Sequence, residues 1–363
     1  MKILHTEASQ GWGGQEIRIL SEAAGMLARG HEVQLICTPQ SRIYQEAPRY
    51  GVIAHALPIG KKRLPGLFAL RRWLQKNPVD VINSHSSTDS WLAALACASL
   101  RNAPPLVRSR HVSVAVPNNF TTRWLYQKAS RLIVTTGESL RDTLIRDNGL
   151  RPDAVISVPT GIDTALFQPA DKARARNELN LPQQRWIIGM VATLRSWKGH
   201  RYLLEAFAQL NDPNALLVIV GDGPQAQALQ QQSIQLGLQQ QCCMVGNQTN
   251  VARWLQAFDC FVLPSYANEG VPQALLQAML TGLPCITTNA GAIPEIARDQ
   301  ETAWVVEKEN PQAILQALQT LKANPVLAER IAQAGRLWCA AHHSRAMMLD
   351  KMQGVFQKAI NGV

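Results

Sequence analysis

Residues 260–296 read C-F-V-L-P-S-Y-A-N-E-G-V-P-Q-A-L-L-Q-A-M-L-T-G-L-P-C-I-T-T-N-A-G-A-I-P-E-I. An apolar run at 260–263 ends in a polar loop. Pro272 then opens a helical pattern, since proline is tolerated in the first turn of a helix. A second apolar run follows at 285–287, then the polar loop Thr287-Thr288-Asn289-Ala290-Gly291-Ala292, after which a further helix is expected from Ile293-Pro294-Glu295. Short, nearly continuous apolar strands separated by a helix belong to a parallel sheet covered on both faces.

The same rhythm runs outward in both directions. Upstream in the same half, strands are expected at 186–192, 215–220 and 242–245, and downstream at 303–306. The first half repeats the pattern, with strands at 2–5, 32–37, 52–57, 80–84, 106–110, 131–135 and 155–158 and helices such as 15–29, 64–75 and 88–100. Between the two series lies PTGIDTALFQPAD (159–171), whose prolines, glycine and aspartates break the rhythm. The chain ends in helical patterns at 311–323, 326–342 and 344–360. The expected organisation is two doubly wound α/β domains facing each other, 1–165 and 166–343, with 344–363 joining the first.

Composition agrees. At roughly 100–200 residues per domain, 363 residues make two domains, long enough to fold without disulfide or metal staples. A hydrophobic content of 46% with 17% charged residues excludes a disordered or fibrous chain. No apolar run approaches the ~18 residues of a membrane span. The start, MKILHTEAS, lacks the apolar stretch of a signal peptide. The seven cysteines form no CxxC pair and read as buried free thiols in a reducing compartment, so a cytoplasmic location is expected. The net charge of +10 is uneven: residues 1–165 hold 20 Lys and Arg against 12 Asp and Glu, whereas 166–363 hold 16 against 14. A basic first half suits a phosphate-rich partner.

In doubly wound domains ligands sit at the carboxyl ends of strands, beside helix N-termini. The loops there each read two ways. GWGG (11–14), with Gly13 and Gly14 at a helix start, is a tight turn or a backbone cradle for an anion; its spacing is not that of a dinucleotide fingerprint. Arg195 and Lys198 form a solvated turn or converge on a diphosphate. Gly221-Asp222-Gly223-Pro224 is foremost a turn. Glu269 caps a helix or binds sugar hydroxyls, with Gly270, Val271 and Gln277 following it. His85 and His111 follow strand ends and are structural or catalytic. Residues 60–76 mix six basic residues with Leu, Phe and Trp, which makes them a solvated amphipathic helix or one that lies on an anionic membrane.

Taken in order, GGQEIRIL (13–20), PTGID (159–163), ATLRSWKGH (192–200), VGDGP (220–224) and NEGVPQALLQAMLTGLPCITTNAGAIPEI (268–296) resemble the retaining family 4 glycosyltransferases of the GT-B fold. The last segment is the most specific. The resemblance implies two Rossmann-like domains facing a cleft, with the C-terminal helix crossing back to the first. It implies transfer of a sugar, with retention, from a nucleotide-diphosphate donor on the second domain to an acceptor on the first. No metal or cofactor is implied, because Arg195 and Lys198 take the leaving diphosphate's charge. Gly14 meets the same diphosphate, Glu269 binds sugar hydroxyls, the backbone of Gly270 and Val271 faces phosphate or sugar, and His111 lies near the reacting sugar. The family's second glutamate falls at Gln277, an amide that keeps one acceptor for a ribose.

With the basic first domain, these features lead to an expected enzyme of lipopolysaccharide or cell-surface polysaccharide assembly, using a lipid-linked acceptor at the cytoplasmic membrane face. A small soluble acceptor is the alternative. A Rossmann oxidoreductase or epimerase requires a GxGxxG that is not present. A nucleic-acid binder requires a recognition module that is not visible, so no nucleic-acid partner is expected.

Overall fold

The computed structural model describes residues 1–111, 115–267 and 269–362; Asn268 of the 268–296 motif and Val363 lie outside the described residues. Among them, thirteen strands form two sheets in which every pair is parallel. The chain divides into two units, Met1–Gly161 with Ala346–Val363, and Ile162–Arg345.

The first unit contains β1 (Lys2–Glu7), β2 (Glu32–Cys37), β3 (Ile53–Ala56), β4 (Val81–Ser84), β5 (Leu106–Arg110), β6 (Leu132–Thr135) and β7 (Val155–Ser157) in the order β3-β2-β1-β4-β5-β6-β7. The order reverses between β1 and β4. That switch point is where the flanking connections diverge and a crevice opens at the strands' carboxyl ends. Apolar clusters cover both faces of the sheet. The helix Arg345–Asn361 belongs to one of them, through Met348, Met352, Val355 and Phe356.

The second unit contains β8 (Trp186–Val191), β9 (Ala215–Val220), β10 (Cys242–Met244), β11 (Cys260–Leu263), β12 (Cys285–Thr288) and β13 (Trp304–Val306) in the order β10-β9-β8-β11-β12-β13. This is the Rossmann order, with its switch point between β8 and β11. All six residues of β9 are buried, which is why its sequence runs apolar without alternation.

Two expectations need correction. Residues from Ile293 onward do not start a helix: Ile293–Glu295 make one 3-10 turn, and the next helix begins at Pro311. Thr302 ends the turn, its Oγ1 accepting from Arg298 N (2.9 Å) and donating to Ile296 O (3.1 Å). The cysteines are all free, but Cys243 is exposed and Cys97 and Cys242 are half-buried.

Candidate functional site

In the second unit, the loops after β8 and β11 meet at the switch point. Arg195 precedes a single 3-10 turn, Ser196–Lys198, and its exposed guanidinium lies 5.7 Å from the Trp197 ring. Lys198 Nζ donates to Glu269 Oε1 at 2.6 Å, so the two loops are joined by an ion pair whose carboxylate is nearly sealed. Gly199 makes this approach possible. Its φ is +79°, and a Cβ there would stand 2.0 Å from the Pro264 carbonyl oxygen at the end of β11. Tyr266 N donates to Trp197 O (2.9 Å) across the same contact. His200, the next residue, is buried, and burial followed by the Lys198 charge holds its imidazole down at about 3.

The GDGP loop serves as a brace. A Cβ on Gly221, at φ +144°, would meet the Ala192 oxygen at 1.9 Å. Asp222 O accepts from Leu194 N and Leu194 O accepts from Gln225 N, both at 3.0 Å. The exposed Asp222 side chain accepts from Gly223 N at 2.7 Å, as a turn residue does. The loop after β12 braces Glu269 from the other side. Ala292 N donates to Glu269 O (3.2 Å), Ala290 N to Thr288 Oγ1 (3.3 Å), and Thr288 Oγ1 to Ser265 O. Val271 anchors the segment in the core beside the half-buried Gly270. Gln277 lies half-buried on the helix Gln273–Leu280, between the buried Leu276 and Ala278.

In the first unit, the switch point gathers the ends of β1, β4 and β5. Gly13 precedes the helix Gly14–Ala28 in extended conformation. Glu7, at the end of β1, accepts from Ser9 N (2.7 Å) and Gln15 Nε2 (2.5 Å). Burial, and then the neighbouring Asp89, push its carboxyl up to about 8. Asp89 is itself buried. It accepts from Thr6 Oγ1 (2.7 Å), His85 N (2.9 Å) and Ser86 N (2.9 Å), the last as part of a capping box on the helix Ser87–Ala98. His111 is not isolated. Its Nε2 lies 2.9 Å from His85 Nδ1, and His85 Nε2 lies 2.9 Å from His5 Nδ1. Burial holds His5 down at about 3 and pushes His85 and His111 well below the usual imidazole range. His5, Glu7 and Asp89 escaped the sequence reading. The only signal for His5 and Glu7 is that polar residues end an otherwise apolar first strand, and for Asp89 that it stands three residues after Ser86 at a helix start.

Residues 60–76 form the helix Leu64–Lys76 behind Arg63. Gly66, Leu70 and Leu74 are its buried stripe, whereas Leu64 and Phe68 are exposed at 64% and 61%. A groove of about 400 Å³ beside it is lined by Lys61, Arg63, Thr38 and Gln10, among others. Among the described residues no helix is long and apolar enough to cross a membrane.

Comparison with known proteins identifies the family of both units. The Glycosyltransferase Family 4 model matches residues 12–166, and the Glycosyl transferases group 1 model matches 171–338. The UDP-Gal:alpha-D-GlcNAc-diphosphoundecaprenol alpha-1,3-galactosyltransferase of Escherichia coli is 27% identical over 282 residues, spanning 73% of this chain and 72% of that protein. The D-inositol 3-phosphate glycosyltransferase of Streptomyces avermitilis is 26% identical over 398 residues, spanning 96% and 82%. Among solved structures, a glycosyltransferase from Rickettsia africae shares the fold with a TM-score of 0.88 at 19% identity, covering 100% of this chain and 99% of that one. Anabaena HepE in complex with UDP-glucose does so with the same score and identity, covering 99% and 100%. With Rossmann-like sheets in both units and charged loops at both switch points, the chain is a glycosyltransferase of family 4 with the GT-B architecture.

Proposed function

We propose that this enzyme transfers a hexose from a uridine-diphosphate sugar to a lipid-linked acceptor at the cytoplasmic membrane face, with retention at the anomeric carbon and without a metal. The observation that carries the reading is the Lys198–Glu269 ion pair at the β8/β11 switch point, formed by the same loop that carries Arg195, where a Rossmann-like unit binds its ligand. Two cations on one loop match a diphosphate, and they neutralise the charge that develops as the sugar–phosphate bond breaks. Glu269 offers its carboxylate to sugar hydroxyls, and Gln277 meets the ribose. The family resemblance assigns Gly13 and Gly14 to the diphosphate and His111 to the sugar, and we adopt those assignments. Uridine is favoured because the E. coli relative is named for a UDP-sugar and HepE was solved with UDP-glucose.

A lipid-linked acceptor is supported by the same relative's diphosphoundecaprenol substrate and by residues 60–76, where exposed Leu64 and Phe68 sit among six basic residues. The alternative, a small phosphorylated acceptor, has support in the inositol-phosphate relatives. Turnover of UDP-galactose and UDP-glucose with polyprenyl-diphosphate-linked N-acetylglucosamine, compared with D-inositol 3-phosphate, separates the two. Losing one charge-assisted contact at the transition state costs on the order of 2–4 kcal/mol, so Arg195→Ala or Lys198→Ala should lower turnover by roughly 30- to 1,000-fold. Both variants retaining parental turnover would refute the assignment.

A further inference from the structure

His5, His85 and His111 lie 80 and 26 residues apart in sequence, brought into one row because β1 and β5 both pair with β4. Both nitrogen–nitrogen contacts are 2.9 Å, and the ring planes are only 14° and 30° apart. These are hydrogen bonds. Among the described residues no group of three or more His, Cys, Asp or Glu is arranged to hold a metal ion.

The proton count is restrictive. A neutral imidazole has one N–H and one lone pair. His85 uses both nitrogens, so it donates to one neighbour and accepts from the other. Only two neutral arrangements satisfy both contacts, all three rings protonated on Nδ1 or all three on Nε2. Neutrality follows from burial and from the Arg18 and Arg110 charges facing the rings; Asp89 bonds the His85 backbone rather than its ring. The far end of the row breaks the tie. His5 Nε2 is buried with no hydrogen-bond partner. With Nε2 protonated everywhere, His5 strands a buried N–H, the rarer and less tolerated orphan. With Nδ1 protonated everywhere, it strands only a lone pair.

We propose that His5 and His85 are positioning residues that fix His111 as the Nδ1–H tautomer, so that His111 presents a hydrogen-bond donor, not a base, to an oxygen of the substrate. This rests on the reading above that His111 stands at the reacting sugar. A donor there suits a sugar hydroxyl or an oxygen gaining negative charge, and the buried row keeps it from turning into an acceptor.

Long-range proton–nitrogen correlation spectra of the ¹⁵N-histidine-labelled full chain at pH 7 read the tautomers directly. The expected result is protonated Nδ1 and bare Nε2 on His5, His85 and His111. Any of the three protonated on Nε2, or carrying a charge, overturns the proposal. The kinetic arm uses release of UDP from UDP-galactose. His85→Leu should leave a mixture of tautomers on His111 and lower kcat about tenfold, the equivalent of one hydrogen bond, with KM unchanged. His85→Asn, which keeps an amide N–H near the Nδ1 position, should recover part of that loss. Parental kcat in His85→Leu overturns the positioning role. Parental kcat in His111→Ala instead refutes the placement of His111 at the sugar, a failure distinct from that of the tautomer row.

Discussion

Neutralising one end of the Lys198–Glu269 pair should move binding and catalysis in opposite directions. Nζ and Oε1 are 2.6 Å apart, with the Glu269 side chain 5% exposed and that of Lys198 19% exposed. The two ends are therefore unequal. Lysine has a flexible stem that can carry its ammonium to water, whereas the glutamate is held in place by its neighbours. Lys198→Met strands a buried carboxylate and should lower unfolding free energy by about 3 kcal/mol, the low end for a broken buried pair. Glu269→Gln keeps an oxygen acceptor and should cost about 1 kcal/mol. The ligand sees the reverse. UDP brings the diphosphate without the donor hexose, and in the parent Lys198 divides its charge between that diphosphate and Glu269. Removing the competitor should tighten UDP by about tenfold, or 1.4 kcal/mol, the margin of a charge-assisted over a neutral hydrogen bond. Turnover should nonetheless fall by about 100-fold, because the hydroxyl contacts of the carboxylate are lost. Titration calorimetry with UDP, urea unfolding, and steady-state turnover of UDP-galactose test the three arms. UDP binding that weakens or stays level in Glu269→Gln refutes the reasoning, as does a Lys198→Met protein no less stable than Glu269→Gln.

Restoring the family carboxylate with Gln277→Glu should tighten UDP about five-fold, with Gln277→Ala weakening it by a similar factor; calorimetry that registers neither removes Gln277 from the ribose. Gly199→Ala should unfold the β8 loop's contact with Pro264, since the Cβ meets a carbonyl oxygen at 2.0 Å, and a thermal midpoint equal to the parent's would refute that close approach. Changing Lys61, Lys62, Arg63, Arg71 and Arg72 to Gln should remove binding to anionic vesicles at low salt, each basic residue contributing about 1 kcal/mol near such a surface; equal co-sedimentation of mutant and parent would place the membrane contact elsewhere. His200 stays neutral in the fold down to about pH 3, while the unfolded chain takes up its proton near 6.5. Stability from this residue is thus full above pH 6.5 and falls as pH drops, by about 3 kcal/mol at pH 4. His200→Leu should flatten urea midpoints over that range. Glu7 works in the other sense: its carboxyl stays protonated in the fold up to about 8, so its contribution declines as pH rises from 4.5.

The βα rhythm was legible because its cause is local. A strand buried on both faces, such as β9, must be apolar at every position, and that requirement is written in the run ALLVIV itself. The gathering of the second unit's candidate loops was legible for a related reason. Arg195, Lys198 and Glu269 sit directly after apolar strands, and parallel strands bring their carboxyl ends to one edge without further information. The failed helix at Ile293 marks the limit. Ile293, Ile296 and Ala297 are buried and carry helical spacing, yet the chain turns away after three residues because Thr302 takes the Ile296 carbonyl and the Arg298 amide. A threonine seven residues beyond the turn competes for those backbone groups only once the loop has folded back on itself, which no periodicity records.

The first unit's polar centre was hidden for a different reason. His5 occupies a strand position at which an apolar residue would satisfy the pattern equally well, and read alone it is one more core residue of β1. Its meaning depends on register: β1 pairs with β4 so that Thr6 lies opposite Ser84, which sets His5 within reach of His85, and the β4–β5 pairing then brings His111 into line. Two of the three histidines were visible as residues after strand ends, but a pair leaves its tautomers free to follow whatever lies at either side. The third ring, with its sealed Nε2, converts a local preference into a directed row. The same holds for Glu7 and Asp89. Each accepts hydrogen bonds that would satisfy it alone, and it is their shared burial that raises the Glu7 carboxyl into the physiological range. Charge that a chain spreads over eighty residues acquires its chemistry here only when parallel pairing packs it into one dry edge.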